Sequence, residues 1–183
     1  MFPLKNKKIV GYKFGQKTFY NNFHLGVDYA DEDDVIYAPF DGKVTKTFGK
    51  QGGNTILFKP DKRKELFRFL HCKDQIVTGW VKEGTAIGRV GYSGLVSPPG
   101  PKGSHTHLDI SKNGKLELNK PSNFLDPEKY DWKGDHKMPQ IRTQAKGPSR
   151  RIVLEAANAT EWKALCAVMG KDPDQPEEKV KDE

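Results

Sequence analysis

Two histidines one residue apart, His105 and His107, are the part of the sequence best suited to bind a metal ion. They stand in the run 103–110, in which polar and apolar residues alternate as in a strand. Since successive strand side chains point to opposite faces, both imidazoles share one face, and Leu108 and Ile110 take the other. Side chains two apart on a strand lie about 6.5 Å apart, so both rings can reach one ion or its ligands. Alone, the pair is explained equally well as two surface histidines of a half-buried strand.

A second pair, His24 and Asp28, combines a nitrogen ligand with a carboxylate. In a fully extended chain these residues would be about 13 Å apart, whereas zinc needs ligand distances of about 2 Å. The chain must therefore bend between them if both bind one ion, and Gly26 is where a bend is easiest. Read alone, the pair is explained as well by an ordinary strand histidine and a turn aspartate.

The two pairs together supply enough ligands for a catalytic zinc site. His24, Asp28 and one member of the pair at 105 and 107 give three protein ligands, which leaves one position for water. A single carboxylate leaves residual positive charge on the ion, which lowers the pKa of the bound water from ~15.7 toward ~7. The chain has no His-Glu-x-x-His sequence and therefore no glutamate base of that kind. His71 and the remaining histidine would provide two imidazoles for proton transfer, although His71 alone is explained more simply as a core or edge histidine.

All of these residues fall in a region, from residue 9 to about 135, that is typical of an all-β domain. Short apolar runs are separated by glycine, proline or aspartate, and helical periodicity is absent. Asp41-Gly42 predicts a hairpin turn, and the run 66–72 predicts a strand. Glycines spaced through 81–91 predict tight turns between very short strands. A loop rich in serine, proline and glycine, 93–104, then leads into the histidine strand.

The composition describes a folded chain with one main domain. Its 183 residues suffice for one domain with an appendage. The first eight residues lack the apolar core of a signal peptide and no stretch approaches membrane-spanning length, so we expect synthesis to end in a cytoplasm. Cys72 and Cys166 lie far apart, which supports neither a disulfide framework nor a cysteine zinc site.

Composition changes near residue 135, where we expect the β domain, residues 1–135, to end. Residues 136–183 are predicted to be a linker, a short helical extension and a disordered tail. Residues 152–154 predict a short strand, and Thr160 is a candidate N-cap for a helix that runs to Met169. One helix and one short strand cannot form a core, so they either dock on the β domain or bind a partner.

The net charge of +7 and a pI near 9.3 favour a polyanionic partner. Nucleic acid, a membrane surface and the anionic polymers of a cell wall all fit this charge. Nucleic acid is disfavoured because aromatic residues are not interleaved with lysines, as base stacking would require. Charge alone does not choose between the remaining partners.

The order of the candidate residues adds a further observation. His24-x-x-x-Asp28, then His71, then His105-x-His107 resembles the lysostaphin/LytM-type zinc endopeptidases, which cleave peptidoglycan cross-bridges. The similarity runs from about residue 11 to residue 130 and therefore covers nearly the whole β domain. The segments that carry it are 24–30, 37–44, 53–55, 81–84 and 87–94.

The resemblance implies a role for each site residue. His24, Asp28 and His107 would bind Zn²⁺, and His71 and His105 would be the catalytic histidines beside the water. The implied reaction is attack of zinc-activated water on a peptide carbonyl of a peptidoglycan cross-bridge, with the ion polarising the oxygen and the two histidines handling protons.

The resemblance also implies a fold and a substrate contact. The fold would be mainly β, a two-layer antiparallel β-sheet that is sandwich-like with a duplicated hybrid motif, with the site in a groove. To this fold the chain would add the short C-terminal strand and helix extension that its own residues predict. In related enzymes a tyrosine a few residues before the first ligand helps to hold the substrate, and Tyr20 is the nearest candidate.

The chain departs from the family pattern at both ends. We expect no long N-terminal segment that occludes the groove, and the C-terminal region does not resemble an SH3-type wall-binding module. A missing secretion signal favours a phage-encoded lysin or virion component that acts on the bacterial cell wall, with residues 136–183 as the contact to the virion.

Two other functions compete with the enzyme. One is a non-catalytic LytM-like domain that binds peptidoglycan or activates another hydrolase, but such relatives lose ligands and all five positions are kept here. The other is a lipoyl-like or phosphotransfer carrier, in which glycine-spaced hairpins also occur. A carrier needs no pair like His24 and Asp28.

Overall fold

A computed structural model describes residues 1–5, 8–19, 21–29 and 34–133 with their side chains, and 141–145 and 150–154 by their backbone. The chain forms two compact units, Met1–Gly134 and Asp135–Glu183. Tyr20, the helix expected after Thr160 and the expected disordered tail lie outside the described residues. Within the described ranges, no helix is both long and apolar enough to span a membrane.

The described secondary structure is almost entirely β, which confirms the predicted fold class. Single 3₁₀ turns at Pro101–Gly103 and Pro121–Asn123 are the helical elements in the described part of the chain. The strands are β1 (Gly26–Tyr29), β2 (Val35–Tyr37), β3 (Gly42–Gly49), β4 (Gly53–Pro60), β5 (Leu66–Cys72), β6 (Asp74–Gln75), β7 (Gly79–Val81), β8 (Ala86–Arg89), β9 (Thr106–Ser111), β10 (Phe124–Leu125), β11 (Ile141–Ala145) and β12 (Arg150–Leu154).

The first unit is built from two antiparallel sheets. The larger has the order β1-β9-β5-β4-β3-β7, with β10 also paired to β9, and the smaller has the order β2-β8-β6. In the second unit β11 and β12 form an antiparallel pair, so the strand predicted at 152–154 is confirmed within β12. Strand β9 lies between β1 and β5, which makes it the central strand for the candidate residues.

The hydrophobic core lies between the two sheets of the first unit. Ile36 and Ile87 of the smaller sheet belong to the same buried cluster as Phe58 and Phe69 of the larger sheet, and all four are fully buried. Each such large side chain contributes about 1.5–3 kcal/mol by leaving water. The sheets are close enough that a Cβ on Gly88 would collide with the side chain of Ile56. The two-layer arrangement is therefore confirmed.

The hairpin predicted at Asp41-Gly42 is wrong. Strand β2, before it, pairs with β8 in the smaller sheet, and β3, after it, pairs with β4 and β7 in the larger sheet. Asp41 instead lies in the segment that connects the smaller sheet to the larger one. Its carboxylate stabilises this segment by accepting hydrogen bonds from the backbone N–H of Glu83 (2.9 Å) and from Lys82 Nζ (2.7 Å). The hairpin lies one strand later, where Gly49 pairs with Gly53.

Candidate metal centre

Strand β9 and its two neighbours bring the candidate residues together. His107 pairs with Asp28 of β1 on one side and with Leu70 of β5 on the other, so His71 follows directly beside it. Leu108 and Ile110 are fully buried in the core, while His107 and Asp109 take the opposite face. The predicted division of the two faces of this strand is therefore confirmed.

His24 reaches the site from a folded loop before β1. Its backbone N–H donates to the carbonyl of Gln16 (2.8 Å), and its Nδ1 lies 3.2 Å from the carbonyl oxygen of Lys13. This arrangement leaves Nε2 facing the site, 3.3 Å from Asp28 Oδ1. The predicted convergence of His24 and Asp28 is confirmed.

The bend expected at Gly26 is wrong, because Gly26 is a residue of β1 and has no positive φ. A Cβ at this position would collide with the backbone oxygen of Leu108 and come within 2.9 Å of His107 Nε2. The glycine therefore allows β1 to lie close against β9 and leaves room for the His107 ring.

Three side chains place their donor atoms where one metal ion could bind. A ligand atom from each of His24, Asp28 and His107 lies within 4.8 Å of the others. Asp28 Oδ1 is 3.0 Å from His107 Nδ1, whereas Asp28 Oδ2 accepts a hydrogen bond from the backbone N–H of Tyr12 (3.0 Å). Two imidazole nitrogens and a carboxylate oxygen form a donor set that zinc accepts in catalytic sites.

The surroundings of His107 favour a cation at this point. Its Nδ1 faces Asp28 and its Nε2 lies 3.2 Å from Asp109 Oδ2, so both nitrogens face a carboxylate. A neutral imidazole carries one N–H and would turn a lone pair toward the second carboxylate, which is repulsive unless a proton or metal ion lies between them. The donor set therefore fits Zn²⁺.

Charges within the site shift two pKa values in opposite directions. Burial alone would lower the pKa of His107, but hydrogen bonds with Asp109 and Asp28 raise it to about 9. Burial likewise opposes ionisation of Asp28, and hydrogen bonds with His107 and His24 outweigh it and hold the pKa of that carboxyl well below its usual range. Asp28 is therefore a carboxylate at neutral pH.

His71 and His105 form a second pair beside these donors, with ring centroids 4.7 Å apart. His71 Nδ1 lies 2.9 Å from the carbonyl oxygen of Ser93, and His105 Nδ1 lies 2.7 Å from that of Gly103. A carbonyl only accepts, so each Nδ1 carries hydrogen and each Nε2 keeps a lone pair that can take a proton. Burial lowers the pKa of His71 to about 4, so its ring is neutral at pH 7.

The backbone of His71 is unusual. It has a φ of 63°, the left-handed region that non-glycine residues rarely adopt. It lies near the end of β5, where the β4–β5 register shifts between Asn54 and Ile56, and its N–H donates to the carbonyl of Gly52 (2.8 Å). Such conformations cost about 1–3 kcal/mol and cluster at functional sites.

An open groove of about 1030 Å³ contains all five candidate residues. Its walls carry exposed apolar side chains, among them Phe48 (75% exposed), Leu95 (52%) and Leu118 (50%). Asp28 is the one acidic residue among the described residues that line the groove. The predicted groove is confirmed, and its composition suits an extended chain with apolar groups.

Tyr12, which the sequence did not single out, lies in this groove. Its ring centroid is 5.7 Å from that of His24, and its backbone binds Asp28. The tyrosine is twelve residues before His24 in the chain, and the backbone of the intervening loop folds back on itself through hydrogen bonds between Gly15, Gln16 and His24. The preceding residue, Gly11, permits this close approach, because a Cβ there would come within 2.6 Å of Asp28 Oδ2.

Comparison with known proteins gives one family match. The sequence profile described as peptidase family M23 matches residues 22–118, more than half of the chain and all five candidate residues. The comparison with curated proteins returned no match.

Several solved structures share the fold. LytU is 26% identical, with a TM-score of 0.54 over 67% of this chain and 83% of that one. The catalytic domain of the antimicrobial peptidase lysostaphin from Staphylococcus simulans is 23% identical, with a TM-score of 0.52 over 64% of this chain and 87% of that one. A mutant catalytic domain of the prophage-encoded M23 protein EnpA from Enterococcus faecalis is 24% identical, with a TM-score of 0.51 over 70% and 92% of the two chains. The last two similarities concern the fold alone.

Proposed function

Since the chain belongs to peptidase family M23, we propose that it is a zinc-dependent endopeptidase that hydrolyses peptide bonds in peptidoglycan cross-bridges. The observation that carries the proposal is the arrangement in the groove. Three metal-ligating side chains lie within 4.8 Å of one another, and two further imidazoles stand beside them. Neither group is needed by a purely structural β domain.

In this proposal His24, Asp28 and His107 hold Zn²⁺. The anionic Asp28 needs no proton loss before it binds a cation. When bound, Zn²⁺ would act as a Lewis acid on the peptide carbonyl and would make an attacking water more acidic.

His71 and His105 handle the protons of the reaction. Each presents an Nε2 lone pair, because each Nδ1 is committed to a backbone carbonyl. One of these nitrogens accepts a proton as water attacks the carbonyl carbon, and the resulting imidazolium then donates a proton to the leaving amine. The second ring accepts the other proton of that water as the peptide bond breaks and the carboxylate product forms.

The groove holds the substrate. We propose that its apolar walls and the Tyr12 ring contact the peptide on either side of the cleaved bond. The substrate contact of Tyr20 stays a prediction. Four further points also stay predictions. These are a catalytic domain that ends at residue 135, a phage origin, a virion contact through residues 136–183, and binding to anionic wall polymers.

The test is zinc analysis combined with wall digestion. Elemental analysis of the purified chain should find stoichiometric zinc, and zinc-loaded protein should release new peptide termini from purified sacculi, as read by mass spectrometry. A chelator should abolish the release and added zinc should restore it. A zinc-loaded sample that binds sacculi without producing new termini would establish the non-catalytic alternative instead.

A further inference from the structure

A buried carboxylate lies behind His107, on the side away from Asp28. Asp109 is 0% exposed, and its Oδ2 lies 3.2 Å from His107 Nε2. The same oxygen accepts a hydrogen bond from Arg68 Nε at 2.9 Å and a shorter one from Nη2. Asp109 is a residue of β9 and pairs directly with Arg68 of β5 and with Gly26 of β1.

Stability does not explain this ion pair, in which Asp109 is fully buried and the Arg68 side chain is 14% exposed. Removing two charges from water is costly, and replacing such a pair with apolar residues of similar size is often neutral or stabilising. The pair is also incompletely satisfied, because Asp109 Oδ1 is buried and has no hydrogen-bond partner among the described residues. Within the described part of the chain, the Asp109 side chain also contacts the His107 ring, which indicates that its function concerns this ring.

We propose that Asp109, held in place by Arg68, is a positioning residue that fixes the tautomer and orientation of His107 for metal binding. A carboxylate can only accept, so it requires the hydrogen of His107 on Nε2. The lone pair is then on Nδ1, the nitrogen that faces Asp28 and the donor set. This inference rests on the proposed zinc site.

Arg68 has a separate part in this arrangement. Its guanidinium compensates the charge of Asp109, which would otherwise be an uncompensated anion in the interior. With that charge balanced, Asp28 is the one carboxylate that reduces the positive charge of a bound cation. Gly26 completes the arrangement, because a Cβ there would come within 2.9 Å of His107 Nε2.

The test compares zinc affinity in three variants. Asp109→Leu removes the acceptor, and we expect its zinc dissociation constant to rise about 10- to 100-fold, the usual effect of losing such a partner. Asp109→Asn keeps an amide oxygen as a weaker acceptor, and we expect a rise of less than about 10-fold. Asp74→Leu is the matched control, since Asp74 also pairs with an arginine, Arg89, and also has one buried oxygen for which the described residues provide no partner. Asp74 does not line the groove, so its zinc affinity should equal that of the unsubstituted chain.

Nitrogen NMR of the histidine rings separates positioning from a general loss of structure. In the zinc-loaded chain His107 should show hydrogen on Nε2, and in Asp109→Asn this proton should move upfield because its acceptor is weaker. If Asp109→Leu does not fold, this signal in Asp109→Asn decides the question.

Two results would overturn the inference alone. One is a folded Asp109→Leu chain that binds zinc as tightly as the unsubstituted chain, and the other is an Asp109→Asn chain with unchanged His107 signals. Absence of zinc binding by the unsubstituted chain would instead overturn the proposed function. If the unsubstituted chain binds zinc but does not hydrolyse sacculi, the zinc affinities of the variants still test the role of Asp109.

Discussion

One oxygen atom, Asp28 Oδ1, organises the site at the scale of single residues. His107 Nδ1 lies 3.0 Å from it, His24 Nε2 3.3 Å and His105 Nε2 3.9 Å. The two nearer nitrogens belong to the proposed ligands. The farthest belongs to a ring whose other nitrogen binds a backbone carbonyl, which suits a proton acceptor that stands next to the metal. The neighbouring histidines of the motif therefore have different proposed tasks.

Separate substitutions of His105 and His107 should distinguish proton transfer from metal binding. His107→Ala removes a ligand and should lose stoichiometric zinc. His105→Ala should keep zinc and lose hydrolysis by about 10²- to 10⁴-fold, the usual contribution of a general acid or base. Elemental analysis and release of peptide termini from sacculi measure the two effects. Stoichiometric zinc in His107→Ala would show that the ligand assignment is wrong.

The low pKa of His71 makes stability depend on pH. Burial holds the pKa of the folded state at about 4, below the usual value of 6.5. Between these values the unfolded chain binds a proton that the folded chain does not, so the free energy of unfolding falls as pH decreases from 6.5 to 4. The loss is at most about 3 kcal/mol.

Urea unfolding between pH 7 and pH 4, with chelator present so that metal release does not contribute, measures this loss. His71→Asn removes the titrating ring, so its unfolding free energy should fall less over the same range. Parallel curves for the two chains would mean that His71 is not held neutral by burial.

At the scale of elements, the site depends on how closely β1 approaches β9. Gly26→Ala would force the strands apart, because the added Cβ meets the Leu108 carbonyl and the His107 ring. We expect a loss of about 1–3 kcal/mol in the free energy of unfolding, the usual range for overpacking, together with weaker zinc binding. Urea unfolding and zinc titration measure both.

The matched control for this substitution is Gly49→Ala in β3. A Cβ at Gly49 meets nothing within 4 Å, and Gly49 has no positive φ. Its unfolding free energy should stay within about 0.5 kcal/mol of the unsubstituted chain. Equal losses of unfolding free energy in the two variants would show that replacing any strand glycine has this effect, and that the close approach of β1 to β9 is not its cause.

Local sequence patterns predicted individual strands and their faces better than they predicted which strands lie next to each other in a sheet. Alternation along β9 gave the correct faces for His107 and for Leu108 and Ile110, because side-chain direction in a strand depends only on residue parity. The prediction of a hairpin at Asp41-Gly42 was wrong because turn residues do not indicate which sheet the next strand joins. Arg68 could be placed on the face of β5 opposite Phe67, but its contact with Asp109 depends on strand order, which the sequence does not state. Tyr12 was missed for the same reason.

At the scale of the whole molecule, the core and the candidate site belong to the same unit. The residues of the buried cluster lie between Leu4 and Trp132, and the five candidate residues lie between His24 and His107. The net charge of +7 predicted a polyanionic partner but contributed nothing to locating the site, because it is a property of the whole chain.

A chain that ends after Gly134 should therefore keep the proposed activity. We expect it to fold cooperatively, to bind stoichiometric zinc and to release peptide termini at a rate within about three-fold of the full chain, since the compact unit Met1–Gly134 contains the buried cluster and all five candidate residues. Circular dichroism melting, elemental analysis and sacculus digestion measure these properties. A shortened chain that aggregates or is inactive would show that residues 135–183 are required.

The left-handed backbone at His71 restricts what evolution can place there. Glycine, asparagine and aspartate tolerate a φ of 63° best, whereas β-branched residues do not. Asparagine and aspartate are each one nucleotide change away from histidine, so the position can lose its imidazole in a single step and keep its backbone. If the proposed function is correct, a descendant that binds peptidoglycan without hydrolysing it would be expected to carry one of these two residues. The same substitution, made deliberately, would give a variant suited to capturing the proposed substrate uncut for crystallography.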